Sequence, residues 1–259
     1  MFDLTERGCR RDLRKTLLGL LDDDKLRDLF DVSELEMKAG QLSGAPDTDC
    51  GSSVRELVQW LDDQKARNHI FVKREGLNTL DEWAIDGNGH LSHKEGRFFR
   101  ITGMRISSPC REVLTWSQPI LDNEGEGIIG LLIRKVRNST FFLMQAKADV
   151  GNRSIIQIGP TVQFNPSNYL DSEKLKKPFL FDEFHGAGSF ISVFENRQSE
   201  EGGRFYREEH LHRILMLPEG MALEIPAGYR WFSYSQIRFF LHMGDFVNSC
   251  ARSILACLL

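Results

Sequence analysis

The sequence predicts an α+β protein, a mixed or antiparallel sheet with flanking helices, preceded by an N-terminal helical segment. Three observations predict it. Leucines recur close to helical spacing through the first third of the chain, as on the buried stripe of an amphipathic helix. From about residue 70 the pattern changes to short apolar runs punctuated by Gly, Asn, Asp and Pro, which is how strands and turns are written. Near the C-terminus two short helices close the chain, one from near Ser233 or Ser235 and one from about Asn248.

The elements follow in order. Leu13, Leu17, Leu18, Leu20 and Leu21 mark a first helix, and Leu26, Leu29 and Phe30 continue it after an acidic break. From Ala39 to Ser53 the chain turns to Gly, Ser, Pro and Asp, an exposed connector. Ser53 with Glu56 three residues on is a capping box opening a second helix, and Leu57, Val58 and Leu61 line one side of it, with Trp60 nearby. Residues 1–68 are therefore expected to form the helical segment and 69–259 the main module.

Strands are expected at Ile70–Lys73, at Trp83–Ile85 before the turn Asp86-Gly-Asn-Gly89, and at Phe98–Ile106. Further strands are expected at Ile128–Val136 and Phe141–Ala148, joined as a hairpin through Arg137–Thr140. Ile155–Ile158, Thr161–Phe164, Phe190–Phe194 and Leu211–Leu217 complete the β-rich middle. One short helix should begin near Ser233 or Ser235 and another run from about Asn248 to Leu258. The sequence contains no internal repeat.

Composition narrows the function classes. With 259 residues and 41% hydrophobic content, including 18 Phe, the chain is large enough for a substantial core. A net charge of −4 without a basic stripe argues against a nucleic-acid partner. The five cysteines, at 9, 50, 110, 250 and 257, show no C-x-x-C spacing, so free thiols in a reducing, cytoplasmic setting are expected. The charged start of the chain carries no apolar leader, and no apolar run of about 18 residues suggests a membrane span.

The chemistry-bearing side chains lie within and just after strands. Alternation puts Gln145 and Lys147 on one face of their strand and Phe142, Met144 and Ala146 on the other. Thr161 and Gln163 likewise share a face, and Gln157 could join them. Such a face is either one wall of a polar pocket or the wet side of an antiparallel sheet. Two polar runs leave strands: Lys147-Ala-Asp-Val-Gly-Asn-Arg153 and Gln198-Ser-Glu-Glu-Gly-Gly-Arg-Phe205. Loops of this kind carry binding groups on a rigid scaffold, and a surface turn with an ordinary ion pair explains the same residues. His210-x-His212 sits at strand spacing with no third ligand at metal-site spacing, so no metal is expected. There is no P-loop, no G-x-G-x-x-G and no G-x-S-x-G.

Several of these runs together resemble the NDP-hexose 2,3-dehydratases. They are Trp116-Ser-Gln-Pro-Ile-Leu121, Leu143-Met-Gln-Ala-Lys147 with Gly151-Asn152, Pro160-Thr-Val-Gln163 with Ser167-Asn-Tyr169, and Gln198-Ser-Glu-Glu-Gly202 with Arg204-Phe205. Gly89-His-Leu-Ser-His93 leading to Gly96-Arg-Phe98, and Arg252-Ser-Ile-Leu-Ala256, extend the likeness from about Ile70 to the C-terminus. The resemblance implies a Nudix-related fold, no cofactor, and removal of the C2 hydroxyl from a nucleotide-linked 4-keto-6-deoxy sugar. It also implies a homodimer, because typical members carry two copies of this module and this sequence carries one. The family's usual Glu-Pro ahead of Gly-Asn is here Asp149-Val150.

A dehydration beside a ketone requires a base at C3, donors to the C4 oxyanion and an acid for the leaving hydroxyl. The expected assignment gives proton transfer to Glu200 and Tyr169, and enolate or diphosphate stabilisation to Lys147. Gln145, Gln163, Gln198 and Asn152 would orient sugar hydroxyls and the ketone, and Arg204 would clamp the diphosphate. Trp116 or Phe205 would stack on the nucleobase. Gln118, Thr161, Ser167, Asn168 and Ser199, which stand in the same runs, complete the expected substrate contacts. Lys147, Gln163, Tyr169 and Glu200 are expected to meet at one hollow. A non-catalytic sugar-nucleotide binder and a Nudix-like hydrolase are the alternatives.

Overall fold

A computed structural model describes residues 52–68, 70–123, 125–137, 139–170 and 175–258. The expected helices over Leu13–Phe30 and most of the connector that follows lie outside the described residues. In chain order the elements are α1 (Val54–Arg67), β1 (Trp83–Ile85), β2 (Leu91–His93), β3 (Phe99–Ser107), β4 (Thr115–Asn123), β5 (Gly127–Val136), β6 (Ser139–Ala148), β7 (Ile156–Gly159) and β8 (Val162–Phe164). They continue with α2 (Ser167–Leu170), β9 (Ile191–Ser199), β10 (Glu209–Met216), β11 (Tyr229–Ser233), α3 (Tyr234–Leu241) and α4 (Ser249–Ala256). The α+β expectation holds.

The described residues divide into two compact units, the first made of residues 52–68, Ile70, Ile133–Gly159 and Glu219–Arg252. Here the capping box forms as written: the Ser53 hydroxyl accepts from the Glu56 amide at 3.3 Å, and the Glu56 carboxylate accepts from the Ser53 amide at 2.6 Å. Together they satisfy two amides that a helix start leaves without partners. Helix α1 buries Val54, Leu57, Val58, Trp60 and Leu61, and the Trp60 indole N–H donates to the Ala227 carbonyl at 2.9 Å. Strand β6 pairs antiparallel with β11 on one side and β7 on another. Phe141, Leu143 and Met144 of β6 are fully buried, so both faces of its first half lie in apolar surroundings. Phe232 and Phe240 join them, with Trp60 meeting Phe232 edge-on. Ser233 caps α3 in a second box with Gln236.

The second unit comprises Phe71–Leu132, Pro160–Pro218 and Ser253–Leu259. Strands β1 to β4 form an antiparallel four-stranded sheet in sequence order. The β1–β2 turn is held by the Asp86 carboxylate, which accepts from the Asn88 and His90 amides, with Gly89 supplying φ +83°. The first half of β5 pairs with β8 along one edge and lies beside β10, which in turn pairs with β9. Gly130 of β5 lets the fully buried Phe184 ring lie on the strand, where an added Cβ would come within 2.3 Å of it.

The sequence expectation departs from the structure at several strands, and the short β2 (Leu91–His93) is one that was not expected. Ile70–Lys73 is irregular, not a strand, and Phe71 is 95% exposed. Strands β4 and β11 were not expected. Pro119 and Asp122 disguise β4; it is the last strand of its sheet, where a proline deprives no neighbour of a hydrogen bond.

Candidate active site

The densest group of expected site residues is built within the second unit by the connection between β9 and β10. In the register of that pair Gln198 stands opposite His210 and Ser199 opposite Glu209. The loop that follows is closed at its neck, where the Glu200 amide donates to the Glu208 carbonyl at 2.9 Å. A turn inside it is made by the Arg204 and Phe205 amides, both donating to the Glu201 carbonyl.

Strand β4 then holds this loop. The Leu121 amide donates to the Arg204 carbonyl and the Tyr206 amide to the Leu121 carbonyl, each at 2.8 Å, a short parallel bridge centred on Phe205. The Gln118 side-chain amide donates to the Gly203 carbonyl at 2.9 Å, and its oxygen accepts from the Trp116 indole at 2.8 Å. Trp116 and Gln118 share a face of β4 because they are two residues apart. The structure therefore brings Trp116, Gln118, Arg204 and Phe205 into one connected group with Glu200, an association invisible in their separation along the chain. Arg204 lies 3.2 Å from Glu201 and is well exposed, so its guanidinium faces water.

Three residues without an assigned role complete this group. The His210 imidazole Nε2 lies 3.5 Å from the Glu200 carboxylate and 3.8 Å from that of Glu208. Asn123, at the end of β4, donates to the Glu208 carboxylate at 3.0 Å. The three titratable side chains are 25% (Glu200), 18% (His210) and 7% (Glu208) exposed, so Glu200 is the one open to a ligand. The sequence signal available was two glutamates flanking a strand-to-strand loop, with a histidine two residues after the second. His212, which spacing had grouped with His210, is buried and its Nε2 bonds the Ser253 hydroxyl at 2.7 Å. Burial, partly offset by its bond to the His210 carbonyl, holds His212 below the usual imidazole range.

A second group in this unit surrounds β8 and α2. Gln163 stands opposite Ile129 of β5. Ile129 shares its strand face with Gly127, whose missing Cβ leaves room for the His210 ring, so Gln163 and His210 lie on one face. Thr161 is fully buried and its hydroxyl accepts from the Leu132 amide at 2.7 Å. The Ser167 hydroxyl and amide both donate to the Asn165 side-chain oxygen, and the Asn168 amide donates to the Asn165 carbonyl. Tyr169 sets its ring edge-on to Phe164 and Phe181, at 6.1 and 5.8 Å.

Gln145, Lys147 and Asn152 belong to the first unit. Gln145 stands opposite Gly159 and Lys147 opposite Gln157, and Lys147 Nζ is 3.9 Å from Asp149. Gln157 is engaged elsewhere, donating to the Asp245 carboxylate at 2.6 Å. The Asn152 side-chain nitrogen is buried with no hydrogen-bond partner among the described residues, a donor that a ligand oxygen would satisfy. Tyr229, opposite Gln145 across β11 and β6, was missed by sequence reasoning. Burial pushes its phenol up to about 12, leaving it a hydroxyl at neutral pH.

The family model for NDP-hexose 2,3-dehydratases matches residues 54–258, which takes in every candidate site residue. The chain belongs to that family. Curated relatives named dTDP-4-dehydro-6-deoxy-alpha-D-glucopyranose 2,3-dehydratase come from Saccharopolyspora spinosa and Streptomyces violaceoruber. The first is 31% identical over 80% of this chain and 42% of its own length, the second 32% identical over 78% and 45%. A third, from Amycolatopsis orientalis, is 30% identical over 78% of this chain and 42% of its own length. The 2,3-dehydratase-family chain thus spans less than half the length of these relatives. A solved complex of the C-terminal domain of mouse MUTYH with human PCNA is 14% identical, covering 52% of this chain and 86% of that one with a TM-score of 0.32. That likeness carries no argument about fold, and the Nudix relation rests on the resemblance alone. Among the described residues no helix is long and apolar enough to cross a membrane.

Proposed function

We propose that this chain removes water across C2–C3 of a dTDP- or other NDP-linked 4-keto-6-deoxyhexose, giving a 3,4-diketo-2,6-dideoxy sugar nucleotide for deoxysugar biosynthesis. The observation that carries the reading is the family match over residues 54–258, with relatives that are all named for one activity. The group around Glu200 supports it, since a partly open carboxylate beside a histidine suits proton transfer at a carbon acidified by a neighbouring ketone.

In this reading Glu200 takes the C3 proton and the electron pair moves into an enolate on O4. The enolate expels the C2 hydroxyl, which leaves as water once protonated, and the resulting enol tautomerises to the diketone. Tyr169 is the second proton carrier. Lys147 stabilises the enolate or the diphosphate, as a compact ammonium does for concentrated negative charge. Gln145, Gln163, Gln198, Ser199 and the unpartnered Asn152 amide orient the sugar, with Thr161, Ser167 and Asn168 shaping the rim. Arg204 faces the diphosphate, and Trp116, Gln118 and Phe205 receive the nucleobase. No cofactor is assigned, since elimination beside a ketone transfers no electrons to a carrier. We further propose that the protein works in the cytoplasm as a homodimer.

The test is incubation of purified protein with dTDP-4-keto-6-deoxyglucose, with a reductase to trap the labile product and mass spectrometry to follow loss of water. Turnover is expected. Binding without turnover would overturn the catalytic reading in favour of a sugar-nucleotide binder, and metal-dependent release of a nucleoside monophosphate would overturn it in favour of hydrolysis.

A further inference from the structure

We propose that His210 is a positioning residue for Glu200, and that Glu200, His210 and Glu208 form an array sharing a proton that moves to and from the substrate. This rests on the dehydration described above and adds a residue to it.

His210 Nδ1 lies 3.1 Å from the Glu209 carbonyl oxygen. A carbonyl only accepts, so we assign the hydrogen of the neutral imidazole to Nδ1. Nε2 then faces two carboxylates, at 3.5 and 3.8 Å. A bare nitrogen lone pair against two carboxylate oxygens would set three acceptors together with nothing donated between them. The group is relieved by one further proton, on Nε2 or on a carboxylate, and it passes between the ring and a carboxylate when the side chains close from 3.5 or 3.8 Å to hydrogen-bond distance.

The surroundings hold the ring in place. A Cβ on Gly127 would fall 2.7 Å from Nδ1 and 2.9 Å from Cε1, so the ring rests on bare glycine backbone where no other residue would admit it. Gln198 stands opposite on β9, and Asn123 fixes the far carboxylate of Glu208. Glu208 is the most buried of the three and Glu200 the most open. The array thus runs from an anchored inner acid, through the imidazole, to an outer acid that a sugar can reach.

Proton bookkeeping closes over one turnover. The array gains the C3 proton as the C3–H bond breaks and, by way of Tyr169 as the second carrier, loses one proton to the departing C2 hydroxide, which leaves as water. The array ends with the protons it began with. Among the described residues no group of His, Cys, Asp and Glu has an arrangement suited to a metal ion.

The test uses the full-length protein with dTDP-4-keto-6-deoxyglucose and the variants His210→Gly, His210→Asn and Gly127→Ala. Loss of a positioned proton partner costs about 10²-fold in turnover, so all three should lower kcat by about that factor with KM nearly unchanged. Imidazole added to His210→Gly should restore kcat about tenfold, whereas tetrahydrofuran, a ring of similar size without an exchangeable proton, should not. Wild type that turns over together with an active His210→Asn overturns this inference alone. Equal rescue by tetrahydrofuran, or inhibition of the wild type by EDTA, also overturns it, the first in favour of a packing role and the second of a metal site. Wild type without turnover overturns the dehydratase reading on which it rests.

Discussion

Glu200 and Lys147 carry charges of opposite sign, and truncating each should damage a different step. Glu200→Gln keeps the shape of the side chain and removes its ability to take a proton. Its kcat should fall by about 10²- to 10⁴-fold, while affinity for dTDP measured by calorimetry stays within about threefold of wild type. Lys147→Ala removes an ammonium whose hydrogen bond to an anion is worth about 1.5–3 kcal/mol, so dTDP should bind about 10- to 100-fold more weakly. If the two variants share one profile, the separation of proton transfer from anion binding is wrong. At this scale the sequence singled out candidate side chains but not what each would meet. His210 and His212 were paired by spacing alone, and spacing does place them on one face of β10. It could not show that one ring meets two carboxylates while the other bonds Ser253 in the buried interior.

Elements were legible wherever local rules and tertiary packing agree. The capping box at Ser53, the helix start near Ser233 and the glycine turn after β1 are written in a few adjacent residues, and all three form. Strand β4 was hidden because local propensity opposes it, and its pairing with β3 from Phe99↔Asn123 to Ser107↔Thr115 overrides that preference. Ile70–Lys73 erred the other way, for apolar residues with no partner strand gain nothing from extension. Close approach at Gly130 belongs to this scale too. Alanine there would place a methyl within 2.3 Å of the Phe184 ring and 2.5 Å of Val162, on a strand too well buried to move aside. Overpacking of this kind costs about 1–3 kcal/mol. Gly130→Ala should therefore lower the urea midpoint without changing the slope of the transition, and a midpoint equal to wild type would show that the Phe184 segment yields freely.

Length is the observation that matters for the whole molecule. The matched relatives are more than twice as long as the region they share with this chain, so each has room for a second module of the same size. For the homodimer proposed above, closed two-fold pairing is the commonest arrangement of identical subunits. Neither the fold of one chain nor its sequence pattern displays such a contact, because an interface is a property of two surfaces and the α+β pattern describes only one. Association has a thermodynamic consequence that can be measured. If a complete site needs two chains, specific activity must follow the dimer fraction and fall on dilution by mass action. Light scattering coupled to gel filtration should therefore report twice the chain mass at micromolar concentration, and specific activity should decline in step with the loss of that species on dilution. A monomer that turns over at undiminished specific activity would show that one module carries the whole reaction.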